Sequence, residues 1–368
     1  MKRGLLGILM CALIVLAVSA QGHALGFGAP VSAPGTCLGA GNVIATITGF
    51  NWPTGIAADS YRGKVYVANV NPTIGSGGSL SFPAQGYVAV IDEKTNTITK
   101  TIPVGAYPYA MALDPFHGKV FVVDYLSASI SVIDENTDTV SATITGISNF
   151  GHGIAVDPVR GKVYVVTALG TFWIVDEATG TVVTSVALPT SGGGVGVDPI
   201  TGNIYAAINP GKTNAFVEVF DPTTYALTAT IPLTTPEAEW VAVDPIGKKL
   251  YATGSNAYNE SAVGALFVID TATNTLTNTI PAIHNDTIAP AFDPINRKVY
   301  VTSIDYKSNE GGVMVIDAVS DTVIETFTLN AAFSTAVDPI RRTLYVTFEN
   351  GTTTDVISIG GPEPWGSH

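Results

Sequence analysis

His152, Glu239, His284 and Asp286 are the residues of this sequence best suited to hold a divalent cation. Imidazole nitrogens and carboxylate oxygens are the common ligands of zinc and related ions. The four lie far apart in the chain, so only folding could gather them. A second set is aromatic: Trp52, Tyr107, Tyr109 and Trp240, accompanied by His152 and Glu239. Flat rings with a few polar groups suit a carbohydrate or peptide, held by stacking and by hydrogen bonds at the rim. Each set has a plainer counterpart: solvated rim residues for the first, rings that cover an opening for the second. Nucleophilic catalysis is not indicated, because no G-x-S-x-G with triad partners is in view. The run "SGGGVG" (191–196) resembles a phosphate loop in composition alone. It opens a strand rather than a helix, so it lacks helix-terminal N–H groups.

The elements that must carry these residues are set by a repeat. An apolar strand ending in Asp, usually followed by Pro, recurs seven times, at Asp59, Asp114, Asp157, Asp198, Asp244, Asp293 and Asp338. Successive aspartates are 41 to 55 residues apart. After each comes a turn, then a strand such as "KVYVAN", "KVFVVD" or "KVYVTS", a variable loop, a strand such as "YVAVID" or "SISVID", and a Thr-rich fourth strand. Alternating β-branched and aromatic residues favour strand over helix. Four strands in a period of about 40–45 residues predict an all-β, seven-bladed β-propeller with four antiparallel strands per blade. The residues two before each aspartate are Ala57, Ala112, Ala155, Gly196, Ala242, Ala291 and Ala336. All are small, as crowding of inner strands at an axis requires. The aspartates themselves read as turn formers whose carboxylates accept local backbone N–H groups.

The seventh unit lacks a fourth strand: "DVISI" (355–359) is its third, and "GGPEPWGSH" follows. The missing pattern stands at the other end of the chain, in "GNVIATITGF" (41–50). The N-terminal strand is therefore expected to complete the last blade and close the ring, which leaves no open edge.

These units resemble the YVTN family of β-propeller repeats. The motif stands here as "YVAN" (66–69), "YVVT" (164–167), "YVTS" (300–303) and "YVTF" (345–348). "VIDEKTNT", "VIDENTDT", "VIDTATNT" and "VIDAVSDT" match its second signature. The resemblance spans residues 41–360. It implies an exported bacterial or archaeal propeller, sometimes part of a cell-surface protein, and supplies no catalytic motif.

The first residues carry Lys2, Arg3 and an uninterrupted apolar or glycine stretch from Leu5 to Val18. Small residues follow at two candidate cleavage points. Residues 1–24 read as a signal peptide cut after 20 or 24, too short to span a membrane. Residues 25–40 follow as a flexible segment, then the propeller (41–360) and a C-terminal tail (361–368). Cleavage leaves Cys37 as the single cysteine, so no internal disulfide is expected. It also leaves 15 basic against 30 acidic side chains. Such a balance opposes nucleic-acid binding, which needs a basic footprint.

Chain geometry places any site. The fourth-to-first connections and the second-to-third loops share one face and vary in length and chemistry. The turns of the other face are monotonous. Binding residues favour loops held by a rigid scaffold. The expectation is thus a periplasmic or extracellular, monomeric, non-catalytic module that binds a protein, peptide or carbohydrate on the variable face. No cofactor is expected, though a divalent metal is possible. The competing expectations are a lyase or hydrolase with a divalent metal at the channel mouth, and a component of a cell-surface layer. The Gly- and Ser-rich loop 69–86 is expected to be mobile.

Overall fold

Each repeat unit folds into a four-stranded antiparallel sheet, and seven such blades form a ring. The computed structural model describes residues 42–74, 79–148, 150–211, 213–256, 263–305, 307–348 and 351–359. The expected leader, the segment 25–40 with Cys37, and the tail lie outside the described residues. No helix among the described residues is long and apolar enough to cross a membrane.

The innermost strands are Pro53–Asp59, Pro108–Asp114, Gly151–Asp157, Ser191–Val197, Glu237–Asp244, Asp286–Asp293 and Ala332–Asp338. Blades 1 to 7 are numbered from them. In blades 1 to 6 the chain runs outward through four consecutive long strands. Blade 7 has three of its own, and its outer strand is Asn42–Thr48, antiparallel to Thr353–Ser358. The ring is closed as the repeat phase predicted. Ile47 and Phe50 anchor the closure in a buried cluster with Ile56, Val65, Tyr345 and Val356. Thr46 Oγ1 donates to Asp355 across the same seam, at 2.7 Å.

Adjacent blades pack face to face through apolar side chains of their second and third strands. One cluster joins Tyr66, Val88 and Val90 of blade 1 to Val120, Val122 and Ile133 of blade 2. Each second strand buries a ring at the same point: Tyr66, Phe121, Tyr164, Tyr205, Tyr251, Tyr300 and Tyr345 are at most 1% exposed. The fourth strands are largely exposed, with Ile, Val or Phe turned inward.

The anchor aspartates act as turn formers in all seven blades. Each Oδ1 accepts the backbone N–H groups of the residues two and three positions on, as Asp59 does from Tyr61 (2.8 Å) and Arg62 (3.2 Å). The Asp-Pro turn is thereby satisfied from within. Near the axis, a Cβ on Gly196 would come 3.0 Å from Val241 of the next blade, which shows why that position is small.

Candidate ligand-binding site at the channel mouth

The two variable loop sets interlace on one face. Val70 N–H donates to Trp52 O, Tyr125 N–H to Tyr107 O, Ala168 N–H to Phe150 O and Gly264 N–H to His284 O. Each pair ties a second-to-third loop to the connection that enters an inner strand. Every inner strand then carries a β-bulge close to this face, between Pro53 and Ile56, Pro108 and Met111, Gly151 and Gly153, and equivalently round the ring. A bulge re-aims a side chain. The bulged residues Tyr109, His152, Glu239 and Phe333 occupy one repeat position, and Trp240 follows Glu239.

These residues meet across the channel. Tyr109 has its ring centroid 4.9 Å from His152, 6.1 Å from Trp240 and 6.4 Å from Phe333. His152 and Trp240 stack at 5.5 Å although they belong to blades 3 and 5. Blade 4 lets them meet by having no side chains in between. A Cβ on Gly193 would lie 2.5 Å from Ala238 O, and one on Gly194 would lie 2.8 Å from Trp240 Cα. The glycine run that resembles a phosphate loop is therefore the space through which the indole reaches across.

One step further out, the residue that precedes or opens each inner strand sets the character of the rim. In blades 1 to 3 it is Trp52, Tyr107 and Phe150, with φ of 59°, 56° and 65°. Bulky residues in the left-handed region carry strain on the order of 1–3 kcal/mol, which the surrounding structure must hold. In blades 5 and 6 the same position holds Glu237 and Asp286, both buried. The mouth is thus aromatic on one side and acidic on the other.

Three further rings complete the aromatic side. Phe82 packs on Tyr107 at 5.1 Å and near Trp52 at 6.0 Å. Tyr125 joins Tyr107 at 5.5 Å and Phe150 at 5.0 Å. Phe82 comes from the loop expected to be mobile. Within its described parts Thr73–Ile74 pairs with Leu80–Ser81. Phe150 was legible, since it shares the repeat offset of Trp52 and Tyr107; Phe82 follows no repeat rule.

Both ionisable groups at the centre favour their neutral forms. Burial pulls the His152 imidazole down to about 4, opposed only by the Gly193 backbone. Its Nε2 lies 3.3 Å from the Tyr109 hydroxyl. Burial also raises Glu239 well above the usual carboxylate range, and the nearby charges of Glu237 and Asp286 add to this. Beneath these groups lies a channel cavity of about 170 Å³, lined by all seven blades, with side chains such as Ile56, Met111, Ile154 and Ile288 interleaved with polar groups.

The expected metal set does not assemble. No three of His152, Glu239, His284 and Asp286 bring ligand atoms within 4.8 Å of one another. His284 turns outward, with Nδ1 3.0 Å from Ser303 Oγ, near Asp305 and Glu310. His152 and Glu239 belong to blades 3 and 5, while His284 and Asp286 enter blade 6, and sequence spacing cannot reveal how far apart the channel holds them.

Among the described residues, one group of the right kind does gather: Asp114, His117 and Glu177, within 4.8 Å, on the opposite face. Its geometry repeats at two other blade seams. Arg62 Nη1 bridges Asp59 (2.9 Å) and Glu135 (3.0 Å), from blade 1 to blade 2. Arg341 Nη1 bridges Asp338 (2.9 Å) and Glu93 (2.8 Å), from blade 7 to blade 1. His117 Nδ1 does the same between Asp114 (2.6 Å) and Glu177 (3.4 Å), from blade 2 to blade 3. Lys119 adds a second cation at 3.3 Å from Glu177. The group could take a metal ion, but an imidazolium in place of arginine accounts for it fully. The hydrogen bond from His117 to Asp114, then the charges of Asp114 and Glu177, raise the imidazole toward that charged form.

No family model matches the sequence, and no curated protein matches it. Among solved structures, the chain is similar to Kuenenia stuttgartiensis hydrazine synthase, with a TM-score of 0.70 at 17% identity over 84% of this chain and 96% of that one. At that identity the likeness establishes shape and not chemistry. The fold implied by the YVTN resemblance is present: the chain is a seven-bladed β-propeller closed by its own N-terminal strand.

Proposed function

We propose that the protein is an exported, non-catalytic binding module that holds a protein, peptide or carbohydrate ligand at the channel mouth of the variable face. The observation that carries this reading is the division of the mouth into an aromatic side (Trp52, Phe82, Tyr107, Phe150) and an acidic side (Glu237, Asp286), with strained backbone at three of the aromatic positions. Outliers of this kind cluster at ligand clamps. Trp52 and Trp240 are partly exposed, so each offers a face for stacking. The neutral imidazole of His152 and the raised carboxyl of Glu239 suit a ligand rich in hydroxyl or amide groups rather than a strong anion. Export rests on the leader-like first 24 residues.

The test is a screen of soluble oligosaccharides and peptides followed by intrinsic tryptophan fluorescence, with Trp52→Ala and Trp240→Ala as controls. A hit should lose at least about tenfold in affinity in each variant, as expected for aromatic anchors. A ligand that binds both variants as well as the parent would place the site elsewhere and sink the reading.

A further inference from the structure

The opposite face carries a feature that the repeat imposes seven times. Two residues after each anchor aspartate stand Tyr61, Phe116, Val159, Ile200, Ile246, Ile295 and Ile340. Every one is large and apolar, and every one is 62–84% exposed. A solvated turn has no use for an apolar side chain at this position, where Asn, Ser or Asp would serve. Scattered exposed apolar residues are ordinary, but one at the same place in each of seven blades makes a ring around the channel.

The turns that carry the ring are ready for burial. The backbone N–H of each of the seven residues is already taken by its anchor carboxylate, at 2.8–3.2 Å. Withdrawing these tips from water would strand none of those donors, which is the usual cost of covering a loop. Charge is also cancelled locally. Arg62, Arg160 and Arg341 pair with the anchor aspartates of their own turns, and Arg297 pairs with Asp244 of the neighbouring blade. These four pairs lower, on this face, the repulsion expected between two acidic chains.

We propose that the Asp-Pro face is a self-association surface, on which a second copy of this chain docks ring against ring. A second copy is the occupant that the geometry favours, because it alone is certain to present a ring of the same diameter and the same sevenfold spacing. Such contact is isologous, about a twofold axis perpendicular to the channel. The area is sufficient: at these exposures the seven side chains offer roughly 650 Å² per copy, so two rings bury roughly 1,300 Å² of apolar surface. Stable interfaces need about 1,200–2,000 Å² in total. The dimer replaces the monomer expected from sequence. It also turns both variable faces outward, so one particle would present two mouths, and paired ligands would gain avidity.

Light scattering on the purified protein after size exclusion tests this, with Ile200→Glu/Ile295→Glu as the disrupting variant. Both positions are exposed, so the variant should keep the parent circular dichroism spectrum and, diluted to where the parent is also monomeric, melt within about 2 °C of it. The parent should run at twice the chain mass. The variant should run as a monomer, with dimerisation weakened by at least about 100-fold. A parent that stays monomeric at about 100 µM overturns the proposal, since an interface of this area should by then have formed. A dimer indifferent to the variant also overturns it. So does a monomer that co-sediments with phosphatidylcholine vesicles through the same isoleucines, because the ring would then belong to a lipid surface. None of these outcomes bears on ligand binding at the opposite mouth.

Discussion

Ring closure can be tested at two isoleucines of one strand. Ile47 and Ile44 both lie in Asn42–Thr48, but Ile47 is 5% exposed and Ile44 is 52% exposed. Thr at either position keeps the β-branched shape that strands favour, so the pair of substitutions isolates burial. Ile47→Thr removes packing against the cluster that holds Phe50, Ile56, Val65, Tyr345 and Val356. The lost carbons cost about 0.8 kcal/mol each, and a hydroxyl buried without a partner adds about 1–3 kcal/mol. Ile47→Thr should therefore destabilise by about 3 kcal/mol. Ile44→Thr should stay within about 0.5 kcal/mol, the usual range for a surface change. At about 2 °C per kcal/mol for a chain of this size, the first variant melts about 6 °C lower and the second within about 1 °C. Thermal melts and urea midpoints read this directly. Equal, small effects at both positions would mean that the N-terminal strand contributes nothing to the fold, and the closed ring would be wrong.

The seams predict a pH dependence. Burial, with the adjacent anchor carboxylates adding, pushes Glu93 and Glu135 up to about 8. A carboxyl raised above its unfolded value stabilises fully below that value, and its contribution is lost as pH rises through 8. Thermal stability should thus fall from about pH 4.5 to about pH 8 and level off above, and Glu135→Gln should flatten the slope; parallel profiles for parent and variant would contradict the assignment. At the third seam, His117→Arg should match or exceed the parent at pH 8, while His117→Leu should lose stability; a zinc-induced rise in melting temperature that vanishes in His117→Arg would instead identify a metal site. Thr302 Oγ1 donates to Phe333 O of the next blade at 2.7 Å and accepts the Ala289 N–H at 3.0 Å. Thr302→Val should cost about 1–3 kcal/mol in urea denaturation and Thr302→Ser much less; similar losses would show that packing, not the hydroxyl, matters there.

Much of the fold was legible because it is written locally and repeatedly. A strand pattern, an Asp-Pro turn and a small inner residue recur in each unit, and their count and phase give seven blades and the strand that closes them. The turn role of the anchor aspartates was legible for the same reason, since a carboxylate reaching N–H groups two and three residues on is a local event. The candidate site was legible in part. Trp52, Tyr107, Tyr109, His152, Glu239 and Trp240 do lie at one mouth, because equivalent offsets in a repeat fall at equivalent heights in a ring.

By itself the sequence determined the architecture and the face on which variation collects, because hydrogen-bonded strands and turns depend on neighbours a few residues away. Tertiary structure alone decided which side chains touch. Trp240 reaches His152 across two glycines of an intervening blade, and His284 turns away from the acids it was expected to join. Arginine and histidine find glutamates in the next blade. The protonation of Glu239 likewise depends on how deeply the closed ring buries it. These distances run across a channel rather than along a chain, and no spacing in the sequence encodes them.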